Sequence, residues 1–127
     1  MRKVTFFLVI LSTCFVLNSA RTFALGDHYT VEQVIDLYSE DKNIVLAFFN
    51  GVGTAINWAN SALEAQGQTR LYCPPEGQVH TAPDYFRIYM DEYSRHKERW
   101  DEFPLQPPAF IYLKGIQVEY PCKQVLD

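Results

Sequence analysis

Phe110-Ile111-Tyr112-Leu113-Lys114-Gly115-Ile116-Gln117-Val118-Glu119-Tyr120 is the stretch whose reading decides the fold. Ala109, Leu113, Ile116 and Tyr120 recur at helical spacing. The same residues also divide into two short strands, Phe110 to Leu113 and Ile116 to Tyr120, joined at the two-residue turn Lys114-Gly115. Local pattern slightly favours the hairpin, which would make the chain mixed α and β. The helical alternative would make it all-α.

The rest of the chain reads as helix. Val31, Val34, Ile35 and Tyr38 fall on one face of a segment from about Val31 to Glu40, and Thr30 with Gln33 has the spacing of a capping box. A longer helix runs from about Asn43 to Gln66, with Val45, Phe49, Val52, Ile56, Ala59 and Leu63 at three- and four-residue steps. Interior glycine is costly in a helix. Gly51 and Gly53, with the strip Gly51, Ala55 and Ala59, therefore predict a close approach by another backbone. A third helix begins at Thr81, where Thr81 can cap the N–H of Asp84 and Pro83 sits harmlessly in the first turn. Phe86, Tyr89, Met90, Tyr93 and Trp100 form its aromatic stripe, and Arg87, Asp91, Arg95 and Glu98 its wet side.

The N-terminus reads as a secretory leader. Arg2 and Lys3 precede the apolar run Val4 to Leu17, and Thr22-Phe23-Ala24 offers small side chains for cleavage after Ala24. Leu11-Ser12-Thr13-Cys14 is a poorer match to a lipoprotein box. The run also falls short of the ~20 residues of a membrane span. The expected mature domain is therefore 25–127, exported and not stably attached to membrane. Cleavage takes the basic count from 11 to 8 against 15 acidic side chains, a net charge near −7. No basic run survives to track a phosphate backbone, which argues against nucleic acid as a partner.

In an oxidising compartment, Cys73 and Cys122 read first as a long-range disulfide and second as a reactive thiol. Closing about 50 residues would remove roughly 4 kcal/mol of unfolded-state chain entropy. Catalysis has one arrangement to test, Cys73 with His80 and Asp84. Seven-residue spacing supplies no base in hydrogen-bond reach, and a disulfide would consume the nucleophile. His28, His80 and His96 lack ligand-spaced partners, so no metal site or cofactor is expected. The reading is a binding protein, not an enzyme.

The block from Phe48 to Cys122 resembles the Rap/Tai immunity-protein family, small periplasmic proteins associated with type VI secretion amidase effectors. The shared features are Phe48-Phe49-Asn50-Gly51-Val52, then Tyr72-Cys73-Pro74-Pro75-Glu76-Gly77, the helix Tyr85 to His96, and the closing Tyr120-Pro121-Cys122. They cover about three quarters of the mature chain. The resemblance implies an all-α fold, here a bundle of about four helices stapled by one disulfide, and turns Ala109 to Tyr120 toward helix. It implies a stoichiometric inhibitor that occludes a toxic peptidoglycan amidase, and it admits a homodimer. A second cysteine pair often seen in such proteins is replaced here by Tyr38 and Val45, leaving the first helix to packing alone. A different class, a housekeeping chaperone-like periplasmic protein, fits the same composition.

Two segments are candidates for partner contact. Arg95, His96, Arg99, Trp100, Asp101 and Glu102 put charge beside a large aromatic where the third helix ends, and Trp and Arg are common interface anchors. The alternative for Trp100 is an indole folded back on the core. The second segment is Pro74, Pro75 and Glu76.

Overall fold

The computed structural model describes residues 29–102 and 107–122. The expected leader, His28, residues 103–106 and residues 123–127 lie outside the described residues. Five helices and no strand are present among those described: α1 (Val31–Glu40), α2 (Lys42–Ala65), α3 (Ala82–Arg95), α4 (Lys97–Glu102) and α5 (Pro108–Glu119). The fold is all-α, and Cys73 is bonded to Cys122.

Helix α1 starts where its capping box predicts. The Thr30 N–H donates to Gln33 Oε1 at 2.9 Å, and the Gln33 N–H to Thr30 Oγ1 at 3.3 Å. Val34 is fully buried, and Tyr38 stacks on Phe86 of α3 with ring centres 4.2 Å apart. Asp41 separates α1 from α2 and serves both. Its N–H closes α1 on Leu37 O at 2.8 Å, while its carboxylate accepts from the Asn43 N–H at 3.0 Å. Helix α2 ends at a turn that needs glycine: Gly67 has φ +67°, and the Gln68 N–H reaches back to Leu63 O at 2.9 Å.

Of the two glycines expected to admit a neighbouring backbone, only Gly53 is closely approached, and by a tyrosine side chain, not a backbone. A methyl placed on Gly53 would come within 2.5 Å of the Tyr85 ring, whereas one on Gly51 would meet nothing within 4 Å. Gly51, Ala55 and Ala59 are all exposed. The buried line is Val45, Phe49, Gly53 and Asn60. At 100° per residue, Gly51 points nearly opposite to Phe49 while Gly53 stays within about 40° of it.

Helix α3 is capped with the roles reversed. The Asp84 carboxylate accepts from the Thr81 N–H at 2.8 Å and from the Thr81 hydroxyl at 2.7 Å. These bonds hold Asp84 below the usual carboxylate range. The buried face of α3 includes Tyr85, Ile88 and Glu92 as well as Tyr89 and Tyr93. The helix does not run on to Trp100. It breaks at His96 (φ −128°, ψ 33°), whose N–H closes on Glu92 O and Tyr93 O, and α4 begins at Lys97. That elbow is why there are five helices where four are expected.

The contested stretch is a helix. Pro108, Ile111, Tyr112, Gly115 and Ile116 are buried, the i, i+3, i+4, i+7, i+8 face of an amphipathic helix. The sequence register through Ala109, Leu113 and Tyr120 is one residue out of phase, and those three are half-buried. Lys114-Gly115 makes no turn. Gly115 instead lies against α3, where a methyl would come within 2.8 Å of Ile88 O and 3.0 Å of Glu92 Cβ. The α3–α5 seam is the most extensive helix contact.

Candidate partner-binding surface

The cysteine motif is built from α2 outward. Asn60, buried on α2, accepts from the Leu71 N–H at 2.7 Å and the Tyr72 N–H at 3.3 Å, and donates to Tyr72 O at 3.0 Å. The Cys73 N–H then donates to Tyr120 O at 2.8 Å, beside the disulfide. Below this segment, the Tyr72 hydroxyl donates to Asn57 Oδ1. Burial, with a smaller contribution from Tyr85, pushes the Tyr72 hydroxyl up to about 12.

Beyond the staple, the chain turns outward. Pro74 is half-buried, and Pro75, Glu76, Gly77 and Gln78 are exposed. Gly77 takes φ +77°, and the Gln78 N–H closes the turn on Pro75 O at 3.2 Å. Val79 is 84% exposed. The far side of the loop is tied down by side chains. Gln78 Nε2 donates to the Tyr120 hydroxyl at 2.7 Å, and His80 Nε2 lies 3.0 Å from the same oxygen. Tyr120 in turn donates to Glu119 Oε1 at 2.9 Å. With its proton on Glu119, the Tyr120 oxygen can only accept, so His80 Nε2 is the donor there. Arg87 completes the network with two bonds to Glu119, 2.9 and 3.3 Å, and one to Asp91 at 2.9 Å.

The electrostatics of this network follow from burial and pairing. Partial burial raises Glu119, but the hydrogen bonds from Arg87 and Tyr120 outweigh it and hold the carboxyl below its ordinary value. Burial and the neighbouring Glu119 both raise Tyr120. The bond to Glu119 raises Arg87 further, so it stays cationic.

The elbow differs. Arg95, His96, Arg99, Asp101 and Glu102 are exposed, and Ser94 to Arg99 line an open hollow of about 460 Å³. Lys97 pairs with Asp101, and Asp101 also accepts from the Tyr93 hydroxyl at 3.0 Å. The Lys97 hydrogen bond lowers Asp101 and is the larger cause. Trp100 is only 3% exposed and packs edge-on against Phe110 at 6.2 Å. Its indole belongs to the core, so the reading of Trp100 as a projecting anchor is corrected.

The two candidate segments do not form one patch. Pro74 to Glu76 lie by Tyr120 at the C-terminal end of α5, and the elbow lies by Phe110 near its start. A 12-residue helix, about 18 Å long, separates them. Cys73, His80 and Asp84 are not assembled for nucleophilic catalysis either: the sulfur is in the disulfide, and His80 faces Tyr120. Among the described residues, no group of three or more His, Cys, Asp or Glu is placed to hold a metal, and no helix is long and apolar enough to cross a membrane.

Sequence reading missed Asn57, Asn60 and the Arg87–Glu119 pair. An asparagine in the middle of a helical apolar line, as at Asn60, was the available signal. Comparison with known proteins found no matching family model, no matching curated protein and no matching solved structure.

Proposed function

We propose that the chain is an exported immunity protein of the Rap/Tai type. It acts in the periplasm, binds a peptidoglycan amidase delivered by type VI secretion, and occludes the active site without chemistry of its own. The observation that carries this reading is the loop from Pro74 to Val79. It is exposed at its tip, anchored covalently at Cys73, and held along its return by Gln78 and His80 on Tyr120. A short loop fixed at both ends loses little conformational entropy on entering a cleft. The Cys73–Cys122 bond also suits an oxidising compartment.

With Trp100 in the core, the loop takes the leading contact role, and the charged elbow residues Arg95, His96, Arg99, Asp101 and Glu102 fall to the rim. Co-purification of the tagged full-length chain from periplasm, followed by mass spectrometry, tests the proposal. A stoichiometric Cys/His amidase is expected in the eluate. Recovery of the oxidised protein with no amidase, in cells that encode one beside it, overturns the reading.

A further inference from the structure

Helix α2 carries no charged side chain from Asn43 to Leu63, although only one of its faces is buried. On the outer face, Trp58 is 73% exposed. Beside it lies a shallow hollow of about 240 Å³ lined by Thr54, Asn57, Trp58 and Ser61. These four positions are at i, i+3, i+4 and i+7, one face of the helix. Two hydroxyls and a carboxamide therefore surround an indole, each able to donate and accept.

The carboxamide is held in place from behind. Asn57 Nδ2 donates to the Tyr85 hydroxyl at 3.0 Å, and Oδ1 accepts from the Tyr72 hydroxyl. One N–H and one lone pair remain, in a fixed orientation. On the flank of Trp58, the exposed Gly51, Ala55 and Ala59 leave a flat shelf.

The lining selects the ligand class. An ion would find no counter-charge on this face. A wholly apolar surface would cover the hydroxyls of Thr54 and Ser61 without partners, which is costly. A sugar ring meets both conditions, with an apolar C–H face for the indole and hydroxyls around its edge for the polar walls. We propose that this hollow binds a neutral pyranose unit of a glycan. Trp58 stacks on the ring, and Thr54, Asn57 and Ser61 exchange hydrogen bonds with its hydroxyls. The shelf lets the adjoining sugars of a strand lie along α2. The site is separate from the Pro74 to Val79 loop and does not depend on the immunity reading.

The two tryptophans make the test internal. Oligomers of N-acetylglucosamine and, separately, of glucose are titrated into the disulfide-intact protein while the indole N–H resonances are followed by NMR. The Trp58 signal is expected to shift and saturate while that of buried Trp100 stays put. The two sugar series show whether an amino-sugar or a plain glucan is preferred. Thr54→Val/Ser61→Ala should weaken the Trp58 response several-fold. These side chains are outward-facing, so circular dichroism should show an unchanged fold. No Trp58 shift with either sugar up to roughly 10 mM, already a weak-binding ceiling, overturns the proposal. So does a Trp58 shift that follows protein concentration without sugar, which would assign the face to a second copy of the chain.

Discussion

The α3–α5 seam and the outer face of α2 use the same residue, glycine, to opposite ends. At the seam, Gly115 brings the Ile88 carbonyl within 2.8 Å of where a methyl would be; on α2, Gly51 has nothing within 4 Å. Two residues further along, Gly53 lies under the Tyr85 ring. The difference teaches that a helical glycine carries no packing message by itself. Its phase relative to the buried line decides whether a neighbour has taken the space.

The largest effect should come from α4, where Trp100 packs on the start of α5. Trp100→Ala removes an almost fully buried indole and should cost about 3–5 kcal/mol, measured by urea unfolding. A loss under about 1 kcal/mol would fit a surface residue instead. Gly115→Val should follow closely, at about 3 kcal/mol, because the atom it meets is backbone and yields little. An unchanged melting temperature would mean that the helices are further apart than described.

Reducing the Cys73–Cys122 bond should lower stability by roughly 2–4 kcal/mol. Thermal melts with and without reductant read this directly. The outer face of α2 should respond in the other direction: Gly51→Ala gains up to about 1 kcal/mol from helix propensity, whereas Gly53→Ala, against a tyrosine ring, loses stability. A lower melting temperature for Gly51→Ala would dissolve the contrast between the two faces.

The smallest effect is electrostatic. Glu119 is held below the ordinary carboxyl value of 4.5 by Arg87 and Tyr120, against the opposing push of burial. A depressed folded-state value contributes stability that is present above the unfolded value and is lost as pH falls through the folded one. Arg87→Gln should flatten that acid limb of the stability curve. An acid limb of unchanged shape would show that the pair contributes nothing, as many exposed pairs do.

Much of the fold was legible in local chemistry. The Thr30–Gln33 box, the Thr81–Asp84 start and the spacing of Val31, Val34 and Ile35 all depend on neighbours within one or two turns. The disulfide was legible because only Cys73 and Cys122 lie in the expected mature domain. The illegible parts depend on tertiary contact. Ala109 to Tyr120 satisfies both periods until α3 packs against Tyr112 and Gly115. The break at His96 has no glycine or proline to announce it. Asn60 becomes meaningful only when the loop at Leu71 and Tyr72 arrives to use its amide. Of the candidate contact residues, Pro75 and Glu76 do lie at an exposed tip, but an indole such as Trp100 looks alike in a core and at an interface.

The central claim is that this stapled bundle neutralises an amidase in the periplasm, and a protection assay tests it most directly. Cells are made to export a Cys/His amidase that co-purifies with the chain, with the chain co-expressed either in full or without residues 1–24. Rescue from lysis only when residues 1–24 are present, and lost on replacing Pro75 and Glu76, is the predicted result. Lysis that proceeds unchanged while the chain accumulates in the periplasm, disulfide-linked and folded, would contradict it.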